Sequence, residues 1–175
     1  MDLSVARPKD VKVVIMDGGG NDVLINDRSC LTSPPPGNTG CVTTVQGVLA
    51  RTTSLFNEMA SNGTKNIVFF FYPHLDPKGG VLLPSPNTVN ETLDYAYPLA
   101  EQLCCGSSFT ATVGSPTCTG MVGSATCTFI DMRPAFGDNW ATLIKTSDYV
   151  HPTPAGAQII ADLIWKTMAE ECIAQ

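Results

Sequence analysis

The chain has 175 residues, of which 43% are hydrophobic, and 10 Lys and Arg against 16 Asp and Glu leave a formal net charge of −6. The length predicts a single domain over residues 1–175, and the hydrophobic fraction is large enough to form a sizeable core, so the chain need not be disordered. The negative charge argues against partners that need a basic patch, namely nucleic acid and anionic membrane surfaces, and no apolar run approaches the roughly 20 residues of a membrane span.

Three short apolar runs are predicted to be strands. They are residues 11–16 (VKVVIM), 67–72 (IVFFFY) and 127–132 (CTFIDM). Such runs lack the alternation of a half-exposed strand and are typical of a parallel sheet that helices cover on both faces.

The first predicted helix spans residues 44–61, because apolar residues recur there three or four positions apart. Thr43 or Thr44 can cap its start, and Gly63 is placed to end it in a left-handed conformation. Its predicted inward face consists of Val45, Val48, Leu49, Thr52, Leu55, Phe56 and Met59.

Two further helices are predicted after the second strand. Residues 87–103 form one of them, in which Pro98 is expected to introduce a kink or to start a new turn. The last helix begins at Pro154 after the cap residue Thr153. Its predicted apolar face consists of Ala157, Ile160, Ala161, Ile164, Trp165 and Met168. The alternation of strands and helices predicts an α/β fold with parallel strands and right-handed crossovers.

Seven cysteines are many for a cytosolic protein of this length. Two pairs flank irregular segments and are predicted to form disulfides, Cys30 with Cys41 and Cys118 with Cys127. The adjacent Cys104 and Cys105 cannot readily bond to each other without strain, and the odd total leaves at least one thiol free or paired outside the chain. The pattern favours a secreted or periplasmic protein; the alternative is a set of reduced cysteines in the core.

Polar segments follow the first two predicted strands and precede the last predicted helix. They are residues 17–22 (DGGGND), 73–76 (PHLD) and 147–152 (SDYVHP). Ligands of open parallel sheets bind beyond the carboxyl ends of the strands. We therefore expect these segments to contribute to one cleft.

Asp148 and His151 are separated by two residues, a spacing that lets the carboxylate reach the imidazole Nδ1–H on a turn. The carboxylate would then fix the tautomer and leave Nε2 free as a general base. The alternative is a surface Asp that only caps the turn.

Asn21 follows three glycines, which let the backbone approach a ligand closely and tolerate positive φ. Its side-chain amide could donate to a developing oxyanion. The alternatives are an Asn-Asp turn without a ligand and a phosphate-binding loop, but neither the Gly-x-Gly-x-x-Gly pattern nor the P-loop pattern is met.

The two segments together resemble two sequence blocks of the SGNH/GDSL hydrolases. Gly19-Gly20-Asn21-Asp22 resembles the Gly-x-Asn-Asp block, and Asp148-Tyr149-Val150-His151-Pro152 resembles the Asp-x-x-His block, in the same order and beside the same kinds of element. The resemblance implies a three-layer α/β/α, flavodoxin-like fold with a parallel sheet whose N-terminal strands are missing. It also implies hydrolysis of a small acyl ester through an acyl-enzyme, without a cofactor or a metal.

By this resemblance His151 is the general base, Asp148 orients it, Asn21 is an oxyanion donor and Gly19 shapes the Asn21 loop. The remaining candidate substrate contacts are Gly20 and His74. For His74 the alternatives are a second base and a loop histidine held by structural partners.

The Gly-Asp-Ser block that holds the nucleophile in this family has no counterpart in the sequence, so the nucleophile stays unassigned. Ser4 precedes the first predicted strand and is expected at the end of the sheet opposite His151. Four serines could reach the end of the sheet at which His151 is expected, namely Ser29, Ser33, Ser85 and Ser107. None of them has the strained strand-to-helix turn that exposes a nucleophilic hydroxyl.

The family places two more strands beside the strand equivalent to residues 11–16. Without them the run from Val11 to Met16 becomes a bare apolar edge, and such an edge recruits another strand. We therefore expect a homo-oligomer formed through this edge, or pairing with the missing segment. Three functions are compatible with the sequence. They are an esterase, a catalytically inactive scaffold that acts as a binding or interaction module, and a dimeric enzyme whose nucleophile is a different serine.

Overall fold

The computed structural model describes residues 10–26, 28–79, 85–106 and 117–173, and Ser4 and Ser107 therefore lie outside the described residues. Its one sheet contains four strands: β1 (Val13–Met16), β2 (Asn66–Phe71), β3 (Thr117–Val122) and β4 (Ala125–Asp131). Their order across the sheet is β1-β2-β4-β3. Strands β1, β2 and β4 are parallel, as predicted, so the chain is a mixed α/β protein with a mostly parallel sheet.

Strand β3 was not predicted, and it runs antiparallel to β4. The two strands form a hairpin in which Val122 pairs with Ala125 across Gly123 and Ser124. Gly123 has φ +57°, as the tight turn of a two-residue hairpin requires. The segment TCTGMV alternates poorly between apolar and polar residues, so its extended form depends on pairing with β4 and not on its own pattern.

The first helix, α1 (Thr39–Ser61), begins five residues earlier than predicted. Its cap is Asn38 and not Thr43 or Thr44, because the Asn38 side chain accepts a hydrogen bond from the Cys41 N–H at 3.1 Å. The predicted end is confirmed, since Gly63 has φ +96° and the N–H of Thr64 returns to the Met59 carbonyl at 3.1 Å.

Four more helices follow: α2 (Pro86–Cys105), α3 (Arg133–Phe136), α4 (Trp140–Leu143) and α5 (Pro154–Glu170). Helix α2 runs through Pro98 as one helix. Pro98 lies on its exposed side, so the carbonyl group that loses its helical partner can bind water instead. Among the described residues, no helix is both long enough and apolar enough to cross a bilayer.

Helices pack on both faces of the sheet because side chains alternate along each buried strand. On β2, Ile67, Phe69 and Phe71 face α1 and α2, whereas Val68 and Phe70 face α5. The Phe69 ring lies 5.2 Å from that of Phe56 on α1 and 5.6 Å from that of Phe129 on β4. These aromatic contacts hold α1 against the centre of the sheet.

The predicted cap of α5 is confirmed, because Thr153 Oγ1 accepts a hydrogen bond from the Gly156 N–H at 3.2 Å. Its predicted apolar face is wrong in part. Ala157 and Ala161 are exposed, and Trp165 is 72% exposed. The helix instead packs on the sheet through Ile160, Leu163, Ile164 and Met168. On α1, Leu55 was also predicted to face inward, but it is 43% exposed.

Gly156 sets how α5 is placed, because a Cβ atom there would overlap the carbonyl oxygen of Leu143 at the end of α4. We expect Gly156→Ala to lower the free energy of unfolding by about 1–3 kcal/mol, as overpacking against backbone does. Gly47→Ala on α1 is the matched control. A Cβ atom at Gly47 meets only the Arg51 guanidinium, at 3.5 Å, so this change should raise stability by about 0.5–1 kcal/mol. Urea unfolding of both variants measures the difference, and equal effects would contradict this packing.

Three disulfides connect the described cysteines. The predicted bond between Cys30 and Cys41 is confirmed, but the predicted bond between Cys118 and Cys127 is wrong. Instead Cys104 pairs with Cys127 and Cys105 pairs with Cys118. The end of α2 lies directly against the hairpin, where a Cβ atom on Gly120 would overlap the Cys104 carbonyl group. The remaining cysteine, Cys172, is free and exposed.

Strand β1 pairs with β2 along one edge only, and no other strand in the described part of the chain pairs with it. Ile15 on this strand is 48% exposed. Association through the edge from Val11 to Met16 stays a prediction.

Candidate active site

Loops at the carboxyl ends of β1 and β2 and the loop before α5 surround a cavity of about 310 Å³. Four residues come from the segment after β1, namely Asp17, Gly19, Gly20 and Asn21. Tyr72 and Leu75 follow β2, and Val150, His151 and Pro152 precede α5. The remaining wall consists of Val23, Leu24 and Phe71 and of side chains of α1 and α2, which are apolar except for Thr92. The cavity therefore brings together the segment Gly19–Asn21 and His151, which lie about 130 positions apart in the sequence.

The Asp148 carboxylate and the His151 imidazole form a pair, with Asp148 Oδ2 lying 3.2 Å from His151 Nδ1. A bridge between Ile144 and Pro152 closes the loop that holds them, and the Lys145 N–H donates to the His151 carbonyl at 2.8 Å. Because Nδ1 is next to the carboxylate, Nε2 is the ring nitrogen left for other partners. The His151 side chain is 69% exposed, so the cavity reaches the protein surface beside it.

The turn between these two residues places Tyr149 at φ +61°, a left-handed conformation that costs a bulky residue roughly 1–2 kcal/mol. The Asp148 carboxylate offsets this cost. Its Oδ1 atom accepts hydrogen bonds from the N–H groups of Val150 at 2.9 Å and His151 at 2.8 Å. One carboxylate thus both caps the turn and contacts the imidazole. The two alternatives for Asp148, a partner of His151 and a residue that caps the turn, are therefore compatible.

The environment of Asp148 shifts its pKa. Partial burial would raise the pKa, but hydrogen bonds from the backbone of His151 and Val150 and from the His151 side chain outweigh it and lower the pKa from 3.8 to about 2. The folded state therefore binds this proton more weakly than the unfolded state. The resulting stabilisation is fully present above pH 3.8 and is lost as the pH falls towards 2.

We expect Asp148→Asn to lower the melting temperature at pH 6, where the native carboxylate is charged. The difference from the unmodified chain should shrink as the pH falls from 3.8 towards 2, because protonation weakens the same hydrogen bonds. Thermal unfolding followed by circular dichroism across this range measures the effect. Asp162→Asn, a change at an exposed position of α5, is the control. A difference that stays constant with pH would contradict the assignment.

The loop that carries Asn21 depends on glycine and on an ion pair. Gly19 has φ +95°, and a Cβ atom there would lie 2.6 Å from Val48 Cγ1, so a larger residue would push the loop away from α1. The next residue after Asn21, Asp22, pairs with Arg51 of α1 at 2.8 Å. Asn21 itself is exposed and directly precedes a short π-helical turn, Asp22–Asn26.

Asp17 and Tyr72 line the same cavity and were not singled out from the sequence. Although Asp17 remains exposed as a residue, desolvation of its carboxyl group raises its pKa. Burial also raises the pKa of Tyr72, and the charge of Asp17 adds to this, whereas a hydrogen bond from the Gly20 N–H opposes it. Both residues directly follow a strand of the parallel part of the sheet, which is the signal that could have identified them.

His74 is not among the residues that line the cavity. Its Nε2 lies 2.8 Å from Asp94 Oδ1, and the same oxygen accepts a hydrogen bond from Arg133 at 2.7 Å. Arg133 also binds Asp131 and lies 3.7 Å from the centre of the Tyr97 ring. Of the alternatives for His74, the geometry therefore favours a loop histidine held by structural partners.

None of the described residues lining the cavity is a serine or a cysteine. Ser29 lies in a 3-10 turn, Arg28–Leu31, Ser33 lies in the following loop, and Ser85 precedes α2. The described part of the chain also contains no group of three or more His, Cys, Asp or Glu side chains suited to hold a metal ion. The nucleophile stays unassigned.

Comparison with known proteins gives no match: no family model fits the chain, and neither a curated protein nor a solved structure is significantly similar to it.

Proposed function

We propose that the chain is a carboxylic ester hydrolase of the SGNH type and supplies the base, its orienting carboxylate and one oxyanion donor. The observation that carries the proposal is the cavity shared by Asn21 and His151, with Asp148 against the imidazole. These two segments lie about 130 positions apart in the sequence, and their convergence on a single cleft is what general-base catalysis of acyl transfer needs.

The roles follow from the chemistry of the groups. His151 Nε2 removes a proton from the attacking hydroxyl group or water while Asp148 holds Nδ1–H and stabilises the imidazolium. The oxygen forms a bond to the ester carbonyl carbon, and the Asn21 amide donates a hydrogen bond to the carbonyl oxygen as it becomes negative. The imidazolium then returns the proton to the departing alkoxide, which leaves as an alcohol. Because Gly19 and Gly20 have no side chain, the loop packs closely against Val48 and Tyr72. In this proposal that close packing positions the Asn21 amide near the substrate oxygen.

The sheet and the disulfides also support the proposal. The three parallel strands with helices on both faces support a flavodoxin-like sheet of the SGNH kind. The three disulfides support a secreted or periplasmic protein, because such bonds persist in oxidising compartments. The substrate would be a small acyl ester.

A second candidate is a catalytically inactive scaffold that binds acyl compounds. The observation that favours it is the lack of serine and cysteine among the described lining residues. The two candidates make different predictions for slow hydrolysis, because a positioned base and an oxyanion donor accelerate attack by water even where no serine takes part.

The deciding experiment measures hydrolysis of p-nitrophenyl butyrate by the chain and its reaction with a fluorophosphonate probe that labels active serines. We expect turnover above the rate in buffer that disappears in His151→Ala. A labelled serine would identify the nucleophile, and turnover without labelling would indicate attack by water. Turnover at the buffer rate, or turnover that His151→Ala leaves unchanged, would contradict the hydrolase and favour the inactive scaffold.

A further inference from the structure

The wall of the cavity away from Asn21 and His151 is apolar. Two helices provide most of this wall, and on each of them the lining positions lie three or four residues apart, on one helical face. The apolar lining side chains are Val45, Val48 and Leu49 of α1 and Val89, Leu93 and Ala96 of α2, and Thr92 of α2 is the one polar side chain among them. Val45 and Val89 are each 3% exposed, so this wall is formed by core side chains and not by surface residues.

The cavity lies beside a direct contact between the two helices. Cys41 Sγ of α1 lies 3.7 Å from Thr92 Oγ1 of α2, and the disulfide from Cys30 to Cys41 fixes the start of α1 at this point. Interiors of proteins are otherwise packed with few voids larger than a water molecule. A space of about 310 Å³ between two helices held together in this way falls in the size range of small-molecule sites.

The chemistry of the lining restricts the occupant. Among the described lining residues, Asp17 is the one acidic group and there is no Lys or Arg, so the apolar wall offers an anionic ligand no permanent counter-charge. The apolar wall favours an alkyl group instead. At roughly 30 Å³ for each water-sized group, a volume of about 310 Å³ holds about ten non-hydrogen atoms.

We propose that the space between α1 and α2 binds one straight alkyl chain of medium length, about ten non-hydrogen atoms including a carbonyl group placed near Asn21 and His151. Naming this alkyl chain as the acyl part of an ester rests on the proposed function. The binding itself does not, since it depends on the apolar wall and on the volume. The site would thus select medium-length acyl esters over acetyl esters and over long-chain lipids.

The test uses neutral ketones, which present a carbonyl group and cannot be hydrolysed. Isothermal titration of the chain with 2-hexanone, 2-octanone, 2-decanone and 2-tetradecanone gives affinity as a function of length. We expect the affinity to rise about fourfold for each added methylene, as for burial of one CH2 group, up to 2-decanone and to rise no further for 2-tetradecanone. Affinity that is independent of length, or that keeps rising, would overturn the proposal.

Two variants that narrow the cavity test its position. Leu93→Trp changes the α2 wall, and Leu49→Phe changes the α1 wall. Each should lower the affinity for 2-decanone at least about tenfold, because a side chain of this size fills several CH2 equivalents of the site. The control is Leu55→Trp, at an exposed position of α1, which should bind normally. Circular dichroism measures whether each variant folds. If neither Leu93→Trp nor Leu49→Phe folds, the ketone series on the unmodified chain still tests the proposal.

Failure of this proposal differs from failure of the proposed function. A length series with the expected maximum but without turnover dependent on His151 would leave an alkyl-binding site on an inactive scaffold. Turnover dependent on His151 with no length dependence would leave a hydrolase whose acyl group binds elsewhere.

Discussion

Replacing His151 with alanine should lower kcat/KM for p-nitrophenyl butyrate by about 10²–10⁴, the contribution of a positioned general base. The Asp148 carboxylate lies 3.2 Å from His151 Nδ1, so Nε2 is the proposed base. The alanine variant removes this base together with the rest of the ring. Asn21→Ala should lower the rate by about 10²–10³, the cost of one oxyanion donor, because the amide is needed only when the carbonyl oxygen becomes negative.

The matched control is His74→Ala, at the other histidine of the chain. His74 binds Asp94 and does not line the cavity, so its loss should leave kcat/KM unchanged. Steady-state kinetics on the four proteins, with unfolding curves for each, separate a catalytic effect from a loss of fold. Equal losses in His74→Ala and His151→Ala would contradict the assigned roles.

The second large effect is expected from removal of the disulfide between Cys104 and Cys127. Both side chains are buried, and the bond closes a loop with a sequence separation of 23 residues. Loss of such a link lowers the free energy of unfolding by about 3 kcal/mol, largely because the unfolded chain gains entropy. We expect the double variant Cys104→Ser and Cys127→Ser to unfold at a clearly lower denaturant concentration, and Cys172→Ser, at the free thiol, to unfold normally.

The pairing itself can be tested by alkylation and mass spectrometry. In the single variant Cys118→Ser, the freed thiol should be Cys105, its partner in the structure. Labelling of Cys127 would instead indicate the pairing of Cys118 with Cys127 that the sequence suggested. Cys172 should be labelled in every variant and serves as the internal reference.

The strands and helices of this chain were largely predictable because their signals are local. The run IVFFFY predicts a buried strand wherever it lies, and Thr153 with Pro154 predicts a helix start from neighbouring residues alone. The start of α1 was missed because Asn38 caps it while also donating to the carbonyl groups of Ser29 and Ser33, at 2.7 and 3.0 Å. Those contacts come from a folded loop that no periodicity reveals.

The candidate site divides in the same way. The Asp148–His151 spacing and the glycines before Asn21 can be read from the sequence, because each motif is formed within a few residues. Asp17 lies in the segment 17–22 that was expected at the cleft, but neither it nor Tyr72 was singled out, since a single Tyr or Asp after a strand has no distinctive pattern. His74 was named as a candidate contact because it follows a buried strand, but Asp94 and Arg133 hold it in an ion-pair network.

By itself the sequence determined the three parallel strands and the three long helices, that Cys30 pairs with Cys41, and which residue types follow the strand ends. Only the tertiary structure decided the partners of Cys118 and Cys127, the face of α5 that is buried, the hairpin of β3, and the cavity between α1 and α2. The physical reason is the range of the interactions. Caps, turns and periodicity act over a few residues. The disulfide partners, the buried helix face, the hairpin and the cavity each depend on contacts between distant segments, and several segments of similar chemistry could have made those contacts.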